Sequence, residues 1–124
     1  MDLKSEVKKL VEENALALVS LNEDGSPHCI AVAFVKVVSK NQILITDNFI
    51  VKTTENIARD PRVSLAVWNE DWRKAGANGF ELTGHAEYFA HGHWLDEIKK
   101  MPENKGMPCK GAILVTIEKI RKLA

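Results

Sequence analysis

Three apolar runs separated by very short connections constrain the fold of this chain more than any other feature. The runs cover 15–21, 28–38 and 42–47 and are rich in alanine, valine, leucine and isoleucine, so each is predicted to form a β-strand. Asp24-Gly25 lies between the first two runs and is a strong signal for a hairpin turn. Parallel strands would need connections of about a dozen residues or more. The sequence therefore predicts an antiparallel meander.

Three further strands are predicted in the second half of the chain. Each is a run of alternating or continuous apolar residues, and the runs cover 62–69, 80–88 and 111–117. Gly84 interrupts the apolar face of the middle run, which indicates a β-bulge or a tight bend. Six antiparallel strands in so short a chain are most economically closed into a small barrel, because closure removes exposed sheet edges.

Short amphipathic segments between the strands predict about three helices. The first lies near the N-terminus, where Asp2 is a candidate cap and Asn14 a candidate end. The others cover 51–59 and 92–101, and Pro61 ends the earlier of the two because proline disfavours the α conformation of the residue before it. The chain is therefore predicted to be mainly β.

Composition and charge exclude several classes of protein. The chain has 124 residues, enough for one domain over 1–124, and its 17 Lys and Arg balance its 17 Asp and Glu, so its net charge does not favour nucleic-acid binding. No run of about 18 apolar residues predicts a membrane span, and the charged start does not resemble a signal peptide. Cys29 and Cys109 are too few for a disulfide framework. We expect reduced thiols in a cytoplasmic protein, with Cys29 packed in the core.

The start of the predicted helix at 51–59 is the stretch with the clearest chemistry. Lys52, Thr53 and Thr54 fall in its first turn, where backbone N–H groups lack intrahelical partners and the helix dipole is positive. An ammonium and two hydroxyls at such a place suit a phosphate group. The same residues also suit an ordinary solvated helix start, so both interpretations are open at this point.

Several motifs occur in a characteristic order along the chain. A hairpin of Ala-Leu-Val-Ser-Leu and Asp-Gly-Ser-Pro-His is followed by a strand that ends in Thr46-Asp47. A short helix then carries Lys52-Thr53 and Asn-Ile-Ala-Arg-Asp-Pro-Arg-Val, and a later strand contains Gly-Phe-Glu-Leu-Thr-Gly-His-Ala-Glu. This order resembles the FMN-binding split-barrel family, which includes pyridoxamine-phosphate-oxidase-like proteins, over residues 7–120. Within the family, the chain is most similar to the small FMN-binding proteins of anaerobic bacteria and archaea.

The resemblance implies a fold, an assembly and a phosphate site. The fold is a six-stranded antiparallel split β-barrel of Greek-key topology, mainly β, with about three short helices. The assembly is a homodimer with FMN at the subunit interface. The family holds the phosphate at the end of the third strand and the start of the next helix. The residues implied here are Thr46, Asp47, Lys52 and Thr53, with Asn48 and Val51 nearby.

The resemblance also implies that the flavin ring lies along the second strand. Small alanines would let the backbone approach the ring or would simply pack in a tight barrel, and the implied residues are Ile30, Ala31, Val32, Ala33 and Phe34. His28 precedes them and is a candidate hydrogen-bond partner for the cofactor. The partner subunit would complete the site through Pro108, Cys109 and Lys110, or through the connection carrying Trp68, Asn69 and Trp72.

The implied function is non-covalent FMN binding with electron or hydride transfer. The donor would be a reduced nicotinamide or a redox partner protein, and the acceptor is open. No residue stands out as a general acid or base, so the choice between a flavin-dependent oxidoreductase and a carrier is open. Pyridoxamine 5'-phosphate oxidase activity itself is not expected, because the chain lacks the basic C-terminal motif of that enzyme.

Other functions are open at the level of sequence. A haem-binding or deazaflavin-binding split-barrel protein would share the fold, although no long basic groove for a deazaflavin is evident. A non-catalytic FMN store or sensor would share the site. His91 and His93 form a His-x-His pair near His85, and imidazoles can bind a metal. A metal site is nevertheless not predicted, because neither a cysteine nor a clear carboxylate cluster accompanies the pair.

Overall fold

Seven strands and three α-helices form the part of the chain that the structure, a computed structural model, describes: residues 2–69 and 78–123. In chain order the elements are α1 (Ser5–Glu13), β1 (Leu16–Leu21), β2 (Pro27–Val32), β3 (Val35–Ser39), β4 (Gln42–Asp47), α2 (Lys52–Arg59), β5 (Arg62–Trp68), β6 (Gly79–Phe89), α3 (His93–Lys99) and β7 (Gly111–Lys122). One turn of 3-10 helix, Pro102–Asn104, precedes β7. Within these ranges, no helix is long and apolar enough to cross a membrane.

The strands form one antiparallel sheet with the order β2-β1-β5-β6-β7-β4-β3. Strands β5, β6 and β7 follow one another, and β4 lies beside β7, which is Greek-key topology. The two edge strands, β2 and β3, are consecutive in the chain and are separated only by Ala33 and Phe34. The sheet must therefore curl until its edges come close. The predicted split-barrel architecture is confirmed.

The strand predicted at 28–38 is in fact two strands, so the sheet has seven strands and not six. The backbone bends at Ala33 and Phe34, and the Phe34 carbonyl accepts a hydrogen bond from the Thr46 N–H group at 3.0 Å. Val32 and Val35 are both buried, so the alternation of inward and outward side chains changes phase at the bend. A continuous apolar run conceals such a bend, because both halves contribute to one core.

Gly84 lets the two longest strands approach each other, and the predicted bulge is confirmed. The register of β6 against β7 shifts between Thr83 and Gly84. A Cβ atom on Gly84 would lie 1.9 Å from the Thr116 carbonyl oxygen, far inside van der Waals contact. The close approach therefore needs a residue without a side chain.

Strand β4 is buried on both faces. Ile43 and Ile45 belong to the main core inside the sheet, whereas Leu44 belongs to a second apolar cluster with Ile98 of α3. This double burial explains why the centre of β4, residues 43–45, is a continuous apolar run instead of an alternating one. Its end at Asp47 leads directly into the connection to α2, so the start of α2 follows a fully packed strand.

The N-terminal helix differs from its prediction at one end. Helix α1 begins at Ser5, and Lys4, not Asp2, occupies its N-cap position without a side-chain hydrogen bond. Asn14 ends the helix as predicted, and its Nδ2 group donates to the Leu10 carbonyl at 3.0 Å. The buried face of α1 packs on the main core.

Candidate functional site

A cleft of about 580 Å³ lies between β2 and the start of α2. This volume is in the range of small-molecule and cofactor sites. The lining comes from β2 and its bend, the end of β4, the β4–α2 connection, the first turn of α2 and the loop before β7. Among the described residues, Lys52 is the one lysine or arginine in that lining.

Most of the residues that the resemblance implied line this cleft. From β2 and the bend these are His28, Ile30, Ala31, Val32, Ala33 and Phe34. From the end of β4 and the start of α2 they are Thr46, Asn48, Val51, Lys52 and Thr53. Two stretches that are separate in sequence therefore meet at one place.

The side chain of Thr53 is buried in the cleft lining without a partner. It is 1% exposed, and its hydroxyl has no hydrogen-bond partner within 2–69 and 78–123. In the same ranges no side chain caps α2, so the first N–H groups of the helix are also without side-chain partners. A buried polar group without a partner is costly, so this hydroxyl is free to form a hydrogen bond with a polar group bound in the cleft.

Lys52 and Thr54, the neighbours of Thr53, differ in whether they line the cleft. The Thr54 hydroxyl donates to the Val51 carbonyl at 2.7 Å, and Thr54 is outside the cleft lining. The Lys52 ammonium lies 4.0 Å from the Glu55 carboxylate, and its side chain is 55% exposed. Of the three polar residues in the first turn, only Lys52 and Thr53 therefore line the cleft.

Asn56 fixes α2 against β1. This residue is fully buried, and its Nδ2 group donates to Ser20 Oγ and to Asn22 Oδ1, both at 3.0 Å. The Arg59 guanidinium donates to Asn56 Oδ1 at 3.2 Å. Buried hydrogen bonds therefore set the orientation of α2 and the direction in which its first turn faces.

Four of the residues that the resemblance implied lie close to the cleft but outside its lining: Asp47, Pro108, Cys109 and Lys110. Asp47 is 1% exposed, because its side chain turns away from the cleft into the protein. Its carboxylate accepts hydrogen bonds from the Ile50 N–H group and from the Tyr88 hydroxyl, both at 2.8 Å. Asp47 thus supports the segment that borders the cleft.

The segment before β7 supports the same region. The Cys109 N–H group donates to Asn48 Oδ1 at 2.8 Å, and the Lys110 ammonium donates to the Ile50 carbonyl at 2.9 Å. The Cys109 side chain is buried in the apolar cluster beneath α3, and its backbone has a φ of 47°. Pro108 is exposed. The Cys109 side chain therefore packs inside the protein, and the Lys110 ammonium bonds the β4–α2 connection. Neither side chain lines the cleft.

Three cleft residues are absent from the sequence-based prediction: Phe49, Ile50 and Met107. Phe49 and Ile50 lie in the β4–α2 connection between predicted residues, so their position in the chain is a signal that could have identified them. Met107 comes from a loop far along the chain, and no local pattern identifies it. Phe49 is 72% exposed, which leaves apolar surface at the rim of the cleft.

The other candidates lie away from the cleft. Cys29 is exposed and not in the core as expected, because the alternation of β2 turns the neighbouring side chains inward. It borders a separate shallow depression with Trp68, whereas Asn69 borders a polar depression beside α1. Trp72 is outside the described residues.

The histidines outside the cleft have other neighbours. His93 packs edge-on against Trp94 with ring centroids 4.7 Å apart, and His85 Nδ1 lies 2.7 Å from Glu118. Over 2–69 and 78–123, no group of three His, Cys, Asp or Glu side chains is arranged to hold a metal ion.

Comparison with known proteins identifies the family. The sequence profile of the pyridoxamine 5'-phosphate oxidase family matches residues 3–124. A relative from Methanocaldococcus jannaschii, uncharacterized protein MJ0282, is 31% identical over 126 residues, which cover 98% of this chain and 80% of the relative. The chain therefore belongs to the pyridoxamine-phosphate-oxidase-like, FMN-binding split-barrel family.

Two solved structures share the fold. HupZ from Group A Streptococcus has a TM-score of 0.86 at 18% sequence identity, over 98% of this chain and 94% of that one. An FMN-binding protein from Syntrophomonas wolfei has a TM-score of 0.82 at 18% identity, over 94% of this chain and 83% of that one. At these identities the similarity confirms the fold.

Proposed function

We propose that the protein binds FMN non-covalently in the cleft, with the phosphate at Lys52 and Thr53. The observation that carries this proposal is the buried Thr53 hydroxyl, which lacks a partner among the described residues. A phosphate oxygen would be that partner. The N–H groups and dipole at the start of α2 favour the same anion, and the Lys52 ammonium adds the opposite charge.

The charge of the cleft favours a ligand with a single phosphate. Among the described residues, Lys52 is the one lysine or arginine in the lining, whereas a deazaflavin with a longer anionic tail would need a more basic groove. His28, the one histidine in the described lining, would be enough as the axial ligand of a haem, so the preference for FMN rests on Lys52 and on the buried Thr53 hydroxyl at the start of α2. We therefore favour FMN.

Strand β2 would support the flavin ring. It is an edge strand, so the backbone groups that face away from β1 are available to a ligand. Ala31 and Ala33 would leave room for a close approach to the backbone, and His28 stands at the beginning of the strand. The chain would thus orient the ring mainly through backbone groups.

Exposed apolar side chains support a homodimer with the cleft at its interface. Phe49 and Val51 are 72% and 62% exposed, and both border the cleft. Trp68 is 41% exposed in the depression next to β2. Exposed apolar surface of this kind is typical of contact sites. A second copy of the chain would cover these side chains and exclude water from the ligand.

Bound FMN supplies electron or hydride transfer, with a reduced nicotinamide or a redox partner protein as donor. The described lining holds no Asp, Glu or Cys side chain, so the chain contributes binding, orientation and exclusion of water. We propose a cytoplasmic flavoprotein in which the substrate oxidised or reduced is not pyridoxamine 5'-phosphate.

Thr53→Val tests the phosphate contact with little change of shape. We expect the dissociation constant for FMN to rise about tenfold, because a hydrogen bond to a charged group contributes on the order of 1.5 kcal/mol or more. The unfolding free energy of the ligand-free protein should stay the same or rise slightly, because valine removes an unpaired buried hydroxyl. Fluorescence titration with FMN and chemical denaturation without it measure the two quantities.

Thr54→Val is the matched control. It makes the same chemical change one residue later, at a hydroxyl that bonds the Val51 carbonyl outside the cleft lining. We expect it to leave FMN affinity within about twofold. Equal weakening by the two variants, or no weakening by Thr53→Val, would contradict the phosphate contact.

A further inference from the structure

A buried carboxylate lies next to the cleft without entering it. Asp47 stands between Thr46 and Asn48, which both line the cleft, yet its own side chain is 1% exposed and outside the lining. Its Oδ1 atom accepts a hydrogen bond from the Ile50 N–H group, and its Oδ2 atom accepts one from the Tyr88 hydroxyl, both at 2.8 Å. Burying a carboxylate is costly unless donors compensate it. Here the donors come from two elements, the β4–α2 connection and β6.

Lys110 completes this group of contacts. Its ammonium lies 3.6 Å from Asp47 Oδ1 and donates to the Ile50 carbonyl at 2.9 Å. Its backbone N–H group donates to the Asp47 carbonyl at 2.8 Å. Both backbone groups of Ile50 are therefore held in place, two residues before α2 begins at Lys52.

Gly111 provides the space for Tyr88 to reach the carboxylate. A Cβ atom on Gly111 would lie 2.2 Å from the Tyr88 hydroxyl oxygen and 2.3 Å from the ring carbon that bears it. Burial, followed by the hydrogen bond to Asp47, raises the pKa of Tyr88 to about 12. The hydroxyl therefore keeps its proton at neutral pH and remains a donor to Asp47.

We propose that Asp47 is a positioning residue that, with Tyr88 and Lys110, holds the β4–α2 connection so that the first turn of α2 faces the ligand. We call these three residues the Asp47 anchor. The proposal rests on the proposed phosphate site at α2, and it replaces direct cofactor contact by Asp47. A carboxylate facing the cleft would repel a phosphate, whereas in the anchor its charge is balanced by two hydrogen-bond donors and by the nearby Lys110 ammonium.

Two flavins separate positioning from a general loss of structure. FMN and riboflavin share the ring and differ in the phosphate, so a displaced start of α2 weakens the binding of FMN alone. We expect Tyr88→Phe to raise the dissociation constant for FMN about tenfold and to leave that for riboflavin within about twofold. Glu81→Gln is the control, because it removes an ion pair between β6, the strand that carries Tyr88, and Arg121 of β7, and it should change neither constant.

Two substitutions at Asp47 separate geometry from charge. In Asp47→Asn, the side-chain oxygen still accepts from the Ile50 N–H group and the amide can donate to the Tyr88 oxygen, so FMN affinity should stay within about twofold. Asp47→Ala loses both contacts and should weaken FMN binding at least as much as Tyr88→Phe. Equal loss in the two Asp47 variants, or equal loss of FMN and riboflavin affinity in Tyr88→Phe, would overturn the positioning role.

Amide hydrogen exchange gives a readout that needs no flavin. In the ligand-free protein the Ile50 N–H group is bonded to Asp47, so its exchange should become faster in Tyr88→Phe while that of Ile45 within β4 stays constant. Unchanged exchange at Ile50 would overturn the anchor. If the unsubstituted protein binds neither flavin, the proposed function fails, and exchange at Ile50 alone then decides whether the anchor exists.

Discussion

Lys52→Ala is expected to weaken FMN binding by about 1.5–3 kcal/mol, which corresponds to a roughly 10- to 150-fold higher dissociation constant. In the described chain, Lys52 is the one lysine or arginine that lines the cleft. Its own partner, Glu55, is 4.0 Å away and does not hold it tightly. Its loss would leave the phosphate with only neutral donors. Titration with FMN, followed by flavin fluorescence, measures the effect.

Two control variants and the salt dependence make this prediction specific. Glu55→Gln removes the competing carboxylate and should leave FMN binding equal or tighter, whereas Lys119→Ala removes an exposed lysine of β7 and should have no effect. Because Lys52 is 55% exposed, its contribution should shrink as the ionic strength approaches about 1 M. The same FMN affinity in Lys52→Ala and Lys119→Ala would contradict the phosphate site.

Gly84→Ala is expected to lower the free energy of unfolding by about 3 kcal/mol. The new Cβ atom would meet the Thr116 carbonyl oxygen at 1.9 Å and the carbonyl carbon at 2.9 Å. Both are backbone atoms of β7, so relief requires one strand to move and disturbs the pairing of the two longest strands. The cost should therefore lie at the upper end of the usual range for overpacking. Urea denaturation of the ligand-free protein measures it.

Glu87→Ala is the control for this measurement. It changes an exposed residue of the same strand and should alter the unfolding free energy by no more than about 0.5 kcal/mol. If Gly84→Ala has the same free energy of unfolding as Glu87→Ala, this result would contradict the close approach of β6 and β7 at Gly84.

Elements that a local sequence pattern marks, such as an apolar run or a proline, were predictable from the sequence. The centre of β4 is a continuous apolar run and α2 is followed by Pro61, and both elements were predicted to within one residue. Gly84 signals its bulge through the absence of a side chain. The division of 28–38 has no such signal, because Val32 and Val35 are both apolar. Only their pairing with different strands, β1 and β4, reveals the bend.

The residues of the candidate site likewise fall into those that a local pattern predicts and those that only the tertiary structure reveals. Lys52 and Thr53 were predictable because a helix start is visible in a few consecutive residues. Met107 was not, because its loop is held by contacts between distant residues, such as Asn48 Nδ2 with Asn104 Oδ1 at 3.4 Å. The burial of Asp47 likewise depends on a tyrosine 41 residues away, so the sequence alone could not separate a ligand contact from a supporting role.

The visible absorption spectrum of the purified native protein, with mass analysis of what denaturation releases, tests the central claim most directly. We expect flavin absorption bands and the release of FMN, or the appearance of those bands when FMN is added to protein purified without it. A colourless protein that also fails to bind added FMN would contradict the account, and a Soret band would replace FMN with haem.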